Sequence, residues 1–216
     1  MRLGCPNERF ITNGWAQMHV LIVLDHPDQN SFTHAVADKF RQGAEKAGHT
    51  VEVADLNAEG FDPRWSLEDV ERDAQKPLAG DVEFEQERIN RADAICLVFP
   101  LFWWGMPATM KGWVDRVWTW GWAYDQLDDP ELSLQRPRSS VLLIPAGARS
   151  DEMEQSGYLE AMKTAWLKGT FGYFGWSPRR MEVLHGSTGS QKRRKALLER
   201  SFRIGYDLAL PREIEA

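Results

Sequence analysis

Aromatic rings are concentrated in one short stretch, PLFWWGMPATMKGWVDRVWTWGWAY, which spans residues 100–124 and holds six of the ten tryptophans of the chain. Helical spacing predicts one buried helix face made of five apolar residues: Met110, Trp113, Val114, Val117 and Trp118. The other rings fall on predicted loops: Trp103, Trp104, Trp120, Trp122 and Tyr124. Loop rings of this size indicate a flat stacking partner, either a planar cofactor or a partner subunit.

A second stretch, DHPDQNSFT at residues 25–33, places polar side chains at a predicted helix start. Asn30 or Ser31 is typical of a helix N-cap, and the free N–H groups of a first helical turn favour an anion such as phosphate. The hydroxyls of Ser31 and Thr33 and the ring of His26 could add hydrogen bonds to it. The glycine-rich motifs GxGxxG and GxxxxGK[ST] are absent, which argues against the usual dinucleotide and nucleotide triphosphatase sites.

Five short segments, the first of them a continuous apolar run, predict the strands that must position these stretches: residues 18–24, 50–56, 94–99, 140–146 and 181–186. Helical patterns alternate with the strands, at residues 31–48, 66–74, 82–90, 107–118, 153–168 and 191–210. This alternation predicts a doubly wound α/β sandwich with right-handed crossovers. Ligands of such folds bind beyond the carboxyl ends of the strands, where both stretches should therefore meet.

Length and charge limit the remaining possibilities. The 216 residues suffice for one domain, predicted at residues 18–216 after an irregular N-terminal extension at residues 1–17. A net charge of −6 disfavours nucleic acid and anionic membranes as partners, so the basic run KRRK at residues 192–195 is interpreted as a solvated helix face.

The two cysteines, Cys5 and Cys96, fit a reducing cytoplasm. Residues 94–110 carry no charge, but prolines interrupt them, so no integral membrane segment is predicted.

At these motifs the chain resembles a known family. HPDQNSF after the first strand, FPLFWWGMPATMKGWVDRV after the third and the later WAY are similar to the NAD(P)H:quinone oxidoreductases of the flavodoxin-like fold, the DT-diaphorase family and its bacterial relatives. The resemblance implies a flavodoxin-like three-layer sandwich with a five-stranded parallel sheet of order 2-1-3-4-5 and helices on both faces. It also implies a homodimer with a flavin at each of two interface sites, and GFDPRWSLEDV favours FAD, with FMN as the alternative.

The resemblance implies cofactor contacts from three loops. The flavin phosphates and their surroundings would meet His26, Ser31, Phe32 and Thr33. The isoalloxazine ring would be lined by Pro100, Leu101, Phe102, Trp103 and Trp104. Where the family often has TTGG, this chain has Pro145, Ala146, Gly147 and Ala148.

The resemblance also implies the substrate and catalytic residues. The substrate would meet Trp104 together with Trp122 and Tyr124 of the neighbouring subunit. Tyr124 and Tyr158 are the candidate catalytic residues. The family's tyrosine and histidine relay positions hold Met153 and Leu159 here, and Tyr158 is the nearest substitute.

The activity implied is a two-electron, ping-pong reaction. NAD(P)H would reduce the flavin and leave, and a quinone or similar acceptor would then take its place. Two other functions remain open: a flavin-containing regulatory subunit of a potassium-efflux transporter, and a flavin-free interaction module whose rings form only a dimer core.

Overall fold

Parallel strands form the centre of the chain, whose computed structural model describes residues 11–12, 15–70, 78–124, 135–173 and 175–208. A short antiparallel ladder of β1 (Ile11–Thr12) and β2 (Trp15–Ala16) comes first, within the extension that the sequence predicts as irregular. The main sheet contains five strands: β3 (His19–Leu24), β4 (Thr50–Asp55), β5 (Ala94–Val98), β6 (Ser139–Ala146) and β7 (Arg179–His185). Their order, β4-β3-β5-β6-β7, is the predicted 2-1-3-4-5 order.

The central strands of the sheet are covered on both faces because they are apolar on both sides. Val20, Ile22 and Leu24 of β3 pack on one side, where α1 (Phe32–Lys46) and the last described helix lie. The alternate residues Leu21 and Val23 pack on the other side. The remaining helices are α2 (Leu67–Val70), α3 (Gly80–Arg91), α4 (Ala108–Val117), α5 (Ser150–Gln155), α6 (Tyr158–Lys163), α7 (Phe171–Tyr173) and α8 (Gln191–Tyr206).

Most predicted strands and helices are present with shifted ends. The helix predicted at residues 153–168 is instead divided into several shorter segments. The pattern at residues 153–168 predicts a continuous helical segment, but α5 and α6 are separated at Gly157, whose φ is 74°. A π-helix, Thr164–Thr170, then follows α6. The second half of the predicted helix at residues 66–74 and the end of the one at 191–210 lie outside the described residues.

Glycines allow the helices to approach their neighbours closely. A Cβ atom at Gly112 of α4 would lie 2.2 Å from the carbonyl oxygen of Pro63, so α4 lies against the backbone of the loop at Pro63. A Cβ at Gly43 of α1 would lie 2.0 Å from the carbonyl oxygen of Phe202 in α8. Gly205 of α8 faces the carbonyl oxygen of Phe40 in the same way, at 2.1 Å. The α1 and α8 backbones are therefore in direct contact.

A buried carboxylate ties the end of β3 to the start of α4. One oxygen of Asp25 accepts a hydrogen bond from the Met110 N–H at 2.7 Å, and the other accepts one from the Asn57 side-chain amide at 2.7 Å. The first carboxylate oxygen satisfies a free donor in the first turn of α4 and is favoured there by the helix dipole. Asp25 thus fixes the helix that carries the buried rings against the carboxyl end of the sheet. Within the described residues, none of the helices is both long and apolar enough to cross a membrane.

Candidate functional site

Three loops meet at the carboxyl end of the sheet, as the strand order requires. Leu24 of β3 is in register with Asp55 of β4 and Val98 of β5, so these strands end at the same edge. The Leu101 N–H donates to the Pro145 carbonyl oxygen at 2.9 Å and joins the loop after β5 to the end of β6. The predicted cofactor loops are therefore neighbours.

The start of α1 offers donors to an anion. Ser31 is its N-cap, as predicted, and its Oγ accepts a hydrogen bond from the His34 N–H at 3.2 Å. The N–H groups of Phe32 and Thr33 have no acceptor anywhere in the described parts of the chain. Two open N–H groups at the start of a 15-residue helix form an anion-binding arrangement. His26 lies in the turn before it, and its Nδ1 accepts the Asp28 N–H at 3.0 Å.

The loop after β5 contains a strained turn made of two tryptophans. Phe102 and Gly105 exchange backbone hydrogen bonds of 3.2 and 2.8 Å, and between them Trp103 and Trp104 have φ angles of 49° and 59°. A left-handed conformation costs about 1–2 kcal/mol for each residue that is not glycine. Strain of this kind concentrates at functional sites. The turn leaves the N–H groups of Trp103 and Trp104 without an acceptor among the residues described.

The loop rings split into two groups. The Trp104 and Tyr158 rings pack together with centroids 4.4 Å apart, so the structure brings a predicted ring residue and a candidate catalytic residue together. Trp103 is 89% exposed. Tyr124 instead packs edge-on against Tyr173 at 5.7 Å, and together with Trp122 it packs on the core. Within one chain, Tyr124 forms no ring contact with Trp104 among the described residues.

The loop that follows β6, predicted to contact the cofactor, begins with Gly147 and Ala148. The N–H groups of Gly147 and Ala148 lack an acceptor in the described ranges, and the His185 ring contacts the Ala148 carbonyl oxygen through Nδ1 at 3.3 Å. Met153 is fully buried and Leu159 packs against the same apolar cluster. Met153 thus lies in the core and Leu159 packs against it, and neither supplies a polar group to the predicted site.

A groove lies between the first turns of α1 and α8. Its volume is ≈ 640 Å³, and it is lined by Phe32, Ala35, Gln191, Lys192, Arg194, Lys195 and Leu198. The Arg194 guanidinium lies 4.8 Å from the centroid of the Phe32 ring. The basic run at residues 192–195 is exposed, as predicted, but it also forms one wall of this groove, which sequence reasoning missed. Arg194 is too far from Phe32 along the chain for any local pattern to join them.

Metal-dependent chemistry and a cysteine nucleophile have little support in the described part of the chain. It contains no cluster of three or more His, Cys, Asp or Glu side chains able to hold a metal ion. Cys96 lies within β5, and burial raises the pKa of its thiol, so it is not poised as a nucleophile.

Comparisons with known proteins agree with this geometry. The family described as having the flavodoxin-like fold matches residues 18–203. An uncharacterized NAD(P)H oxidoreductase of Haemophilus influenzae is 31% identical over 185 residues, which cover 84% of this chain and 91% of that protein. A ribosyldihydronicotinamide dehydrogenase [quinone] of Pongo abelii is 30% identical over 77% of this chain and 75% of its own. Among solved structures, an NAD(P)H:quinone oxidoreductase from Methanothermobacter marburgensis has a TM-score of 0.81 and 36% identity, covering 90% of this chain and 100% of its own. The resemblance and the fold predicted from the sequence are confirmed.

Proposed function

We propose that this chain, which belongs to the flavodoxin-like fold family, is an FAD-dependent NAD(P)H:quinone oxidoreductase that acts as a homodimer. The observation that carries the proposal is a set of six N–H donors that have no acceptor among the described residues and lie on three segments at one edge of the sheet: Phe32, Thr33, Trp103, Trp104, Gly147 and Ala148. This donor set fits a flavin, which combines phosphate groups with a flat ring that carries several hydrogen-bond acceptors. The relatives named above support the oxidoreductase class.

Each loop has a separate role in holding the cofactor. Ser31, Phe32 and Thr33 would bind phosphate at the start of α1, with His26 beside them. The residues from Pro100 to Trp104 would line the isoalloxazine ring, together with the loop from Pro145 to Ala148. A flavin bound there would accept electrons from NAD(P)H and deliver them to a quinone.

The groove between α1 and α8 favours FAD over FMN. It begins at Phe32, directly beside the proposed phosphate site, and its basic wall suits the second phosphate and the adenosine of FAD. An adenine ring can stack on Phe32 or on the Arg194 guanidinium. FMN ends at its single phosphate and would leave this groove unused.

The aromatic residues would confine the reaction. The packed rings of Trp104 and Tyr158 stand at the side of the proposed flavin position, where they exclude water and offer a flat surface to the nicotinamide or the quinone. Trp122 and Tyr124 would close the substrate site from the second subunit. Leu67 and Val70, which are 70% and 62% exposed, give one chain an apolar surface that a second copy would cover. The cytoplasmic location remains a prediction.

The test is a spectrum of the purified protein with FAD, followed by anaerobic mixing with NADPH. We expect the bound flavin to absorb near its usual visible bands, to bleach on mixing, and to recover when a quinone is added. A protein that binds no flavin would contradict the proposal and favour an interaction module. A bound flavin that NADPH fails to bleach would favour a regulatory subunit.

Arg194→Ala should weaken FAD binding by about tenfold, because it removes the cation–π partner of Phe32 and a charge beside the second phosphate. FMN binding should stay within about twofold of the wild type, since FMN does not reach the groove. Arg203→Ala is the matched control, because Arg203 lies on α8 and pairs with Glu199 on the exposed surface. Fluorescence titration with both flavins measures the effect, and equal losses for FAD and FMN would exclude the assigned role of the groove.

Tyr158→Phe should slow reduction of the bound flavin by about tenfold, less than the 10²–10⁴ of a full general acid–base contribution, because only a hydrogen bond to the reacting groups is lost. Flavin affinity should not change, since the ring still packs on Trp104. Tyr158→Ala should also lower flavin affinity. Stopped-flow absorbance separates the two effects, and an unchanged rate in Tyr158→Phe would remove this hydroxyl from the mechanism.

A further inference from the structure

Three polar side chains form a hydrogen-bonded chain beside the first turn of α1. Ser31 Oγ and His34 Nδ1 are 2.9 Å apart, and His34 Nε2 and Asp55 Oδ2 are also 2.9 Å apart. His34 and Asp55 are only 17% and 19% exposed. The chain therefore connects the end of β4 to the residue that caps α1, within a largely shielded region.

The partners of Asp55 decide which ring nitrogen of neutral His34 holds the hydrogen. The second oxygen of Asp55 accepts the Ala58 N–H at 3.1 Å, so both of its oxygens act as acceptors. Nε2 of His34 must then donate to Asp55, which leaves Nδ1 as an acceptor. Ser31 has only one hydroxyl hydrogen, and in this state it donates that hydrogen to Nδ1.

Neutral His34 thus leaves Ser31 with no hydrogen to give to a phosphate. When His34 is protonated, Nδ1 becomes a donor to Ser31 Oγ, and the hydroxyl hydrogen is free to turn toward a phosphate oxygen. We infer that flavin-phosphate binding at the start of α1 is coupled to uptake of one proton by His34, with Ser31 as the connecting group. The inference rests on the proposed function, because it requires a flavin phosphate at this helix.

The proton comes from solvent and stays on the imidazole, which remains paired with Asp55. The binding free energies are therefore linked in both directions: phosphate favours protonated His34, and protonated His34 favours phosphate. His34 is a positioning residue in this account, since it acts through the Ser31 hydroxyl. Affinity for a phosphate-bearing flavin should therefore fall as the pH rises, because fewer protons are available for this linked uptake.

The same three residue types, in the order serine, histidine, carboxylate, occur in hydrolases. Here the Ser31 Oγ also accepts the His34 N–H at 3.2 Å, so the hydroxyl is held as a helix cap. As the N-cap, Ser31 directly precedes Phe32 and Thr33, whose N–H groups have no acceptor among the described residues. The arrangement is suited to binding an anion.

The groups around His34 determine the control that the test needs. Asp55 faces it from β4, and the His26 ring lies edge-on at a centroid distance of 6.3 Å. Asp28, in the same turn as His26, accepts the Asn30 N–H at 2.9 Å. His26 is thus the second imidazole beside the start of α1, and its substitution must be measured alongside that of His34.

The experiment is calorimetric titration of the flavin-free protein with FAD between about pH 5.5 and 8.5. FAD is the probe because its diphosphate does not titrate in this range, and riboflavin is the phosphate-free control. We expect FAD affinity to fall by at least about tenfold across the range, the change that one charge-assisted hydrogen bond supplies. Riboflavin affinity should not change with pH. Titrations in two buffers with different ionisation enthalpies should show proton uptake with FAD alone.

Variants assign the effect to its residues. His34→Gln and Ser31→Ala should each abolish both the pH dependence and the proton uptake, whereas His26→Gln should keep them. A pH dependence that persists in His34→Gln, or that riboflavin shares, would overturn the inference. FAD that binds equally well at every pH would also overturn it while leaving the proposed function intact. FAD that binds at no pH would overturn both.

Discussion

Ser31→Asp is expected to weaken FAD binding about a thousandfold and to leave the free energy of unfolding within about 0.5 kcal/mol of the wild type. Aspartate caps a helix as well as serine does, so α1 should keep its first turn. Its carboxylate would lie where the structure offers donors to a phosphate. Two like charges about 4 Å apart at an effective dielectric of about 20 repel by about 4 kcal/mol, which corresponds to this loss of affinity.

Ser31→Asn is the matched control, because asparagine has nearly the same size as aspartate, caps equally well and carries no charge. It should retain FAD affinity to within about tenfold, the value of one hydrogen bond to a charged group. Fluorescence titration gives the affinities and urea denaturation gives the stabilities. Equal FAD affinity in the two variants would remove the phosphate from the start of α1.

Gly43→Ala should lower the free energy of unfolding by at least about 3 kcal/mol, the upper part of the range for overpacking. The added methyl group would lie 2.0 Å from the Phe202 carbonyl oxygen and 2.9 Å from the Tyr206 backbone nitrogen. Both contacts are with backbone, so no side chain can rotate away and α8 itself must shift.

Gly80→Ala provides the comparison for a glycine without close neighbours. A Cβ at Gly80 has no atom within 4 Å, and Gly80 begins α3, so alanine should be neutral or stabilising by up to about 1 kcal/mol. Urea denaturation of both variants checks the pair. A Gly43→Ala protein as stable as Gly80→Ala would mean that α1 and α8 are not in backbone contact.

The centre of the sheet could be predicted because β3, β5 and β6 contain uninterrupted apolar runs. A strand covered on both faces needs apolar residues at every position, as in AICLV of β5, and such a run is visible without any knowledge of its neighbours. The break between α5 and α6 was not visible in this way. Apolar residues occur on both sides of Gly157, at Met153 and Leu159, and the left-handed backbone of Gly157 divides the segment between them.

Site residues could be predicted only where their role follows from a sequence pattern within a single helix. The Ser31 cap and the buried ring face of α4 follow from spacing within one helix. Asp25, His34 and Arg194 acquire their roles from partners on other elements, and a lone polar residue carries no periodicity that could reveal such a partner. Nothing about a tryptophan predicts a left-handed backbone, so the strained turn at Trp103 and Trp104 could be found only in three dimensions.

The contact between α1 and α8 at Gly43 and Gly205 has a geometric consequence at the opposite ends of these helices. Phe32 and Arg194 lie about three turns from the contact, each at the same distance along its own helix. A larger side chain at Gly205 would therefore push α1 and α8 apart, and the separation would also increase at the first turns of the two helices. The size of the groove that Phe32 and Arg194 line is therefore set in part by Gly43 and Gly205, which are not among its lining residues.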